Sequence, residues 1–538
     1  MNLVNDPWIP VRTASGRERV ISPLDLVGED PVVDIAAIRP DFGAAIVQLL
    51  IGMVQWLVPP SASDWREVAS GRRLPDLARW RELAPCFEFD TGARRFMQDM
   101  ALGEAGDEED DVSALLLDAP GGNTTRNNAD LFVKRSPGMC LSLSLAAQAL
   151  LTLQTNAPSG GKGHRTSLRG GGPLTMLLWP ARIGGEAVPL WRKLWLNTIV
   201  IEEDPEPRPE VIFPWMADSL TSEEGKDVHA QLSPRSPTRL ELTLLCYFAT
   251  PRRIRLRFSE ERCCTLSGER GPCAVGMLAR NLGANYRSEL FRHPLSPYYR
   301  DKNGAWLPRH LGPTGFTYAD WVTAQAEDDA SARPAVLSTD RLGLALAREL
   351  PPDAVWAFGF AFDNMKCLAW HETRFRYLAI EDSERAAGVL AEAQHWIGAV
   401  KSVRDLLTRL LRQAWGADKP SGTSVAEREL YAATESDFYD LLVERAALVT
   451  DSGEVIVAAH RRMRTQWKGR LVRAAMDVFR RHAERGDAAE MSLQALKRTS
   501  RAHAELARAV HFGLDKVLGL APADEKRGRT GSKRRTEA

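Results

Sequence analysis

At about residue 380 the chain changes character, and this change restricts its possible folds more than any other feature. The run "SERAAGVLAEAQHWIGAVKSVRDLLTRLLRQAWG" repeats apolar residues at helical spacing. Three more such runs follow: "AERELYAATESDFYDLLVERAALV", "HRRMRTQWKGRLVRAAMDVFRRHAERG" and "EMSLQALKRTSRAHAELARAVHFGL". Amphipathic stretches separated by short polar breaks can bury their apolar stripes against one another. They predict a C-terminal four-helix bundle over residues 379–521, entered through "FRYLAIEDSE" (375–384). Residues 522–538, ending "ADEKRGRTGSKRRTEA", are polar and biased enough to predict a disordered basic tail.

Upstream the pattern is different, and the fold class expected for the whole chain is α+β. Residues 1–378 predict a large mixed N-terminal domain with long loops. A chain of 538 residues exceeds what one core supports, so a division into domains is expected on length alone. Pro7, Pro10 and Pro23 keep the opening out of a helix interior. Residues 40–58 read as an apolar helix ending at Pro59-Pro60, and "GMCLSLSLAAQALLTLQ" (138–154) as a second buried helix. "PLTMLLW", "LELTLLCYF" and "RIRLRF" read as short strands within a Pro- and Gly-rich stretch.

The start of the chain has neither a basic n-region nor an apolar h-region, so no signal peptide is expected. The stretch 44–58 is too short to span a bilayer, which predicts no membrane partner. Seven scattered cysteines suit a reducing cytoplasm. Lys+Arg and Asp+Glu both number 70, so a polyanion-binding face requires segregated charge. Residues 451–520 hold 14 Lys+Arg against 8 Asp+Glu, with Arg461, Arg462 and Arg464 in one helical run. That run is a candidate basic face.

The loop "NAPSGGKGHRTSLRGGG" (156–172) combines glycines with Lys162, His164, Arg165 and Arg169. A nucleotide-hydrolysing P-loop needs G-x-x-x-x-G-K-[ST]. Here Gly163 follows Lys162, and Asn156 occupies the place of the first glycine. That excludes the P-loop and leaves flexible backbone able to approach a polyanion closely. In "DAPGGNTTRNNADLFVKRSPG" (118–138), Phe132 lies among Arg126, Asn127, Lys134 and Arg135. This is the composition that base stacking with backbone neutralisation requires. In "RCCTLSGERGPC" (262–273), Cys264-x-x-Ser267 has lost one ligand of a zinc knuckle, which predicts a turn that folds without metal. No HExxH or GxSxG occurs, and the paired carboxylates sit in polar loop contexts. No metal-dependent nuclease constellation stands out, and no cofactor is expected.

Several segments occur together in an order that resembles the CasA family. They are "NLVNDPWIPV", "PDFGAAIVQLLIGMVQW", "LFVKR", "TNAPSGGKGHRTSLRGGGPLT", "LFRHPLSPYY" (290–299) and "FGFAFDNMKCLAWHE" (358–372). CasA is the large subunit of Cascade, the type I-E CRISPR surveillance complex. The resemblance implies a subunit at the crRNA 5′ handle, beside CasB, CasC, CasD and CasE. It implies recognition of the PAM of invading double-stranded DNA from the minor groove, duplex opening, and recruitment of a helicase-nuclease. It puts a glycine loop on Ser159, Gly160, Gly161 and Lys162, and a finger near Arg280 and Asn281, where the family lysine has no counterpart. It puts a wedge on Asp363, Asn364 and Met365, with Asn364 in place of the family glutamine. It gives the crRNA and subunit contact to the loop of Arg126, Asn127, Phe132 and Lys134. The alternatives are a non-sequence-specific DNA-binding scaffold and a degenerate nuclease.

Overall fold

The computed structural model describes residues 1–103, 108–130, 138–160, 163–202, 206–286, 291–363, 365–378, 380, 382–416, 422–448, 453–483 and 492–520. The chain forms two compact units, Met1–Phe316 with Thr323–Ala379, and Thr317–Val322 with Ile380–Ala538. The α+β class expected from the sequence is the one found. The predicted tail at 522–538 lies outside the described residues.

In the first unit, strands β1 (Ile9–Thr13), β2 (Glu18–Ile21) and β3 (Val32–Ile35) form a sheet with β1 in the middle. Helix α1 (Pro40–Trp56) follows and is apolar around nearly its whole circumference, as a fully buried helix must be. It packs against α2 (Leu143–Asn156) and α3 (Arg239–Phe248). The crossing with α3 is close: a Cβ on Gly52 would lie 2.6 Å from the Cβ of Tyr247.

Helix α3 corrects the sequence reading, which made "LELTLLCYF" a strand. Its start is fixed by a capping box, with Glu241 N donating to Thr238 Oγ1 (3.1 Å) and Thr238 N donating to Glu241 Oε2 (2.9 Å). The buried Glu241 carboxylate also receives Arg208 Nε at 2.7 Å. The T-x-x-E signal was present in the sequence; the apolar run beside it dominated the reading.

Further strands of the first unit include β4 (Thr175–Leu178), the long pair β5 (Arg253–Cys263) and β6 (Arg270–Arg280), and β7 (Tyr298–Arg300), β8 (Trp306–Pro308) and β9 (Ser331–Ala332). Last comes the hairpin of β10 (Val355–Asp363) and β11 (Lys366–Phe375). The cysteine-rich turn between β5 and β6 closes through Cys264 N donating to Glu269 O (2.8 Å) and Gly268 N to Cys264 O (2.9 Å). Among the described residues, no three His, Cys, Asp or Glu gather as a metal site, and no helix is long and apolar enough to cross a membrane.

The second unit contains α4 (Ser383–Trp415), α5 (Thr423–Ala447), α6 (Gly453–Ala483) and α7 (Leu493–Val517), matching the four amphipathic runs. Trp396, Phe438 and Trp467 fill its centre, with Trp467 Nε1 donating to Trp396 O at 2.9 Å. Residues Thr317–Val322 supply a plug to this core. The Tyr318 ring stacks on Phe438 at 4.5 Å, and its hydroxyl meets Thr434 Oγ1 at 2.9 Å.

Arg464 donates through Nε to the buried Glu392 at 3.0 Å and through a terminal nitrogen to Leu518 O at 3.1 Å. Removing one partner of a buried ion pair costs about 3 kcal/mol; here Glu392 would keep only His460 Nδ1, at 3.2 Å, as a facing ring nitrogen among the described residues. Arg464→Ala should therefore lower the unfolding midpoint measurably in denaturant, whereas Arg461→Ala, at an exposed position, should not. Equal midpoints for the two variants would show that the Glu392 pair contributes nothing net.

A candidate nucleic-acid interface

The glycine loop leaves the end of α2 and returns to it. Gly172 N donates to Asn156 O (3.1 Å) and Ser167 N to Ala157 O (3.0 Å), so entry and exit are strapped together. A Cβ on Gly171 would lie 2.7 Å from Pro158 Cα, a spacing only glycine permits. Ser159 and Gly160 lie in this loop; Gly161 and Lys162 lie outside the described residues.

The cations of the loop have different tasks. Arg169 is buried and donates to Thr175 Oγ1 (2.9 Å), Ser296 Oγ (3.0 Å) and Gln48 Oε1, so it is an internal staple. Burial lowers its pKa to about 10, which leaves it charged at neutral pH. Arg165 donates to Ser222 Oγ at 2.7 Å. A cation that the sequence reading missed, Arg252, sits beneath the loop. It donates to Pro158 O at 2.5 Å and meets His164 Nδ1. Burial lowers Arg252 to about 10 as well, and no carboxylate pairs with it among the described residues. The guanidinium lies close to Gly160, whose added Cβ would lie 3.5 Å from Arg252 Nη2.

Two other predicted elements are seated on this loop. Gly163, at φ +86°, accepts a hydrogen bond from Leu282 N at 2.8 Å, and a Cβ there would lie 2.9 Å from Asn281 Cβ. The finger region, with half-buried Arg280 and exposed Asn281, is thereby tied to the loop. At the other side Gly172, at φ +60°, faces the hairpin. An added Cβ would lie 2.6 Å from both Phe360 O and a Phe362 ring carbon.

The hairpin carries the predicted wedge. Its base is held where β10 pairs with β4, from Val355↔Leu178 to Phe358↔Thr175, and β10 continues past that partner to Asp363. Asp363 pairs with Lys366, with Met365 in a turn between them; Asn364 lies outside the described residues. Asp363 and Lys366 are exposed, and Met365 is 53% exposed. A β-bulge follows, with Ala361 opposite Ala369 and Phe362 opposite Cys367. Leu368 is the extra residue and stands 47% exposed, a second apolar side chain at the tip. Sequence alternation could not reveal it, because the bulge arises from pairing register.

The remaining candidates lie elsewhere. Arg126 and Asn127 are exposed at the end of a short helix (Gly122–Arg126), while Phe132 and Lys134 lie outside the described residues. In the bundle, much of the basic excess faces carboxylates of neighbouring helices. Arg462 pairs with Glu444, Arg470 with Asp437 (3.0 Å), Arg481 with Glu429 (3.2 Å) and Lys468 with Asp515 (2.7 Å). Arg464 is held by Glu392, so of the three predicted face residues only Arg461 lacks an ion pair among the described residues. The basic-face reading weakens accordingly.

The family model for CRISPR-associated protein Cse1 matches residues 2–478. No curated protein matches. Among solved structures, Thermobifida fusca Cse1 is 20% identical with a TM-score of 0.63, covering 97% of this chain and 99% of that one. CasA of Thermus thermophilus is 17% identical with a TM-score of 0.62, covering 94% and 99%. A chain of a CRISPR RNA-guided surveillance complex is 16% identical with a TM-score of 0.60, covering 94% and 99%. At these identities the structural likeness establishes a shared fold.

Proposed function

The chain belongs to the CRISPR-associated protein Cse1 family, and we propose from that premise that it is the large subunit of an RNA-guided surveillance complex that inspects invading DNA. In this reading the chain makes and breaks no bonds itself. It reads the PAM of double-stranded DNA from the minor groove, helps open the duplex for crRNA pairing, and offers a landing surface to a helicase-nuclease. The crRNA 5′ handle and the remaining Cascade subunits are its other partners.

The observation that carries the reading is the convergence of three segments distant in sequence. Gly163 seats on Asn281, and Gly172 seats on Phe360 and Phe362, so the glycine loop lies between the finger region and the hairpin. Each part has a physical role. Glycine backbone enters a narrow groove where side chains would clash, and Arg252 contributes charge from below. The minor groove offers a degenerate code, so a reader there accepts several related sequences while base pairing supplies specificity. Met365 and Leu368 are placed at the tip where an apolar wedge can unstack a base step.

The test uses the assembled complex and duplexes that differ only in the trinucleotide beside the crRNA-complementary segment. A preferred trinucleotide should bind at least about tenfold more tightly, a discrimination of about 1.4 kcal/mol. Equal affinity for every trinucleotide would favour the non-sequence-specific scaffold instead.

A further inference from the structure

A half-open cavity of about 470 Å³ lies beside α3 in the first unit, a volume within the usual range of small-molecule sites. Strand pairing builds part of its wall, because β7 sets Tyr298 opposite Ala332 of β9. The segment leading into β7, from Phe291 to Ser296, and the first turns of α3 supply most of the rest. Phe291, Tyr298 and Cys246 are buried and Leu242 is half-buried, so they give the cavity apolar walls.

One polar ring stands among them. His293 is 3% exposed and packs edge-on against the Tyr247 ring at 4.7 Å. Leu295 N donates to its Nδ1 at 3.2 Å, so the ring proton resides on Nε2. Burial, with Arg169 nearby, holds His293 well below the usual histidine pKa, and the imidazole is neutral. Its Nε2–H finds no acceptor among the described residues. Buried donors are rarely left without a partner, and an acceptor on a ligand would supply one here.

The open side is basic. Arg239 and Arg292 line the cavity, are exposed, and have no carboxylate partner among the described residues. The Arg292 guanidinium lies 4.1 Å from the Trp306 centroid, a contact that uses its face and leaves its N–H edge for an anion. Arg333 is committed differently, facing Glu327 at 3.8 Å. A phosphate monoester carries about two negative charges at neutral pH, which two unpaired guanidiniums match. A longer phosphate chain would add charge that these two do not offset and that the exposed Glu327 would repel. The apolar walls and the His293 donor call for a flat body bearing a hydrogen-bond acceptor, which a nucleobase provides and inorganic phosphate does not.

We propose that this cavity binds a free nucleoside monophosphate. The base lies against Leu242, Phe291 and Tyr298 and accepts from His293 Nε2, while Arg239 and Arg292 hold the phosphate. The proposal goes beyond the groove reading and does not rest on it, since neither a strand nor a partner subunit enters the site.

The test is calorimetric titration of the full chain, without DNA, using adenosine monophosphate as the probe. Binding should be saturable, and at least about tenfold tighter than that of inorganic phosphate or adenosine alone, each of which makes only part of the contacts. Phenyl phosphate keeps a ring and the phosphate but lacks a ring acceptor, and should also bind about tenfold less tightly. Arg239→Ala with Arg292→Ala should weaken adenosine monophosphate at least about tenfold. Ala335→Trp, at an exposed position of the wall, should fill the cavity and abolish binding with the unfolding midpoint unchanged. 8-Azidoadenosine monophosphate should label residues within 239–246 or 291–298. Absence of saturable binding, equal affinity for inorganic phosphate, wild-type affinity in either variant, or labelling confined to other segments would overturn the site. Equal affinity for phenyl phosphate would overturn the role given to His293.

Discussion

Gly172→Ala should reduce PAM-duplex binding by the assembled complex at least about tenfold while the protein remains folded. The reason is local. At φ +60° an L-residue costs about 1–2 kcal/mol, and the new methyl would lie 2.6 Å from the Phe360 carbonyl oxygen. A backbone carbonyl inside a paired strand cannot swing aside, so the loop must move away from the hairpin. The two elements would then no longer be presented as one surface. Gly184→Ala is the matched control. Gly184 also has positive φ, at +57°, but an added Cβ there meets nothing within 4 Å. It should incur the backbone penalty without changing DNA affinity. If Gly172→Ala binds target normally, the seating of loop on hairpin is irrelevant to recognition.

Truncating the wedge should have an effect of similar size but different character. Met365→Ala with Leu368→Ala removes the two exposed apolar side chains at the hairpin tip and leaves the pairing of β10 with β11 intact. Unstacking a base step costs a few kcal/mol, offset by what the wedge inserts. Losing about 1.4 to 2 kcal/mol of that compensation would slow R-loop formation roughly ten- to thirtyfold on linear duplex. The same variant should be much less impaired on a target whose first base pairs beside the PAM are already mismatched, because there the opening work has been done. Adding Asn364→Ala should deepen the defect on duplex if its amide meets a base edge. Equal slowing on duplex and pre-opened targets would mean that the tip contributes binding rather than opening.

The parts of this account that sequence alone supplied are those set by local periodicity and by backbone need. Four amphipathic runs became four helices because each carries its own apolar stripe. The glycines of residues 160–172 identified a loop of close approach, and Gly163, Gly171 and Gly172 each prove to have no room for a Cβ. What sequence could not supply was set by tertiary contact. Arg169 and Arg252 look alike in composition, yet one is an internal staple and the other lies against the loop. Six residues around Tyr318 are too few to show a period, so their place in the bundle core was invisible. Leu368 reaches the tip only through a register shift, and the pairing of Arg462 and Arg470 in α6 becomes visible only with the acids on a neighbouring helix.

The central claim is that the loop, finger and hairpin face one minor groove together. It is tested most directly by placing a photoreactive group in the minor groove at the PAM of a duplex bound to the assembled complex. Cross-linked peptides are then mapped by mass spectrometry. The account predicts adducts within residues 158–164, 280–282 and 362–368, all from the same probe position. Adducts confined to one of these segments, or found only in the bundle or another subunit, would contradict it.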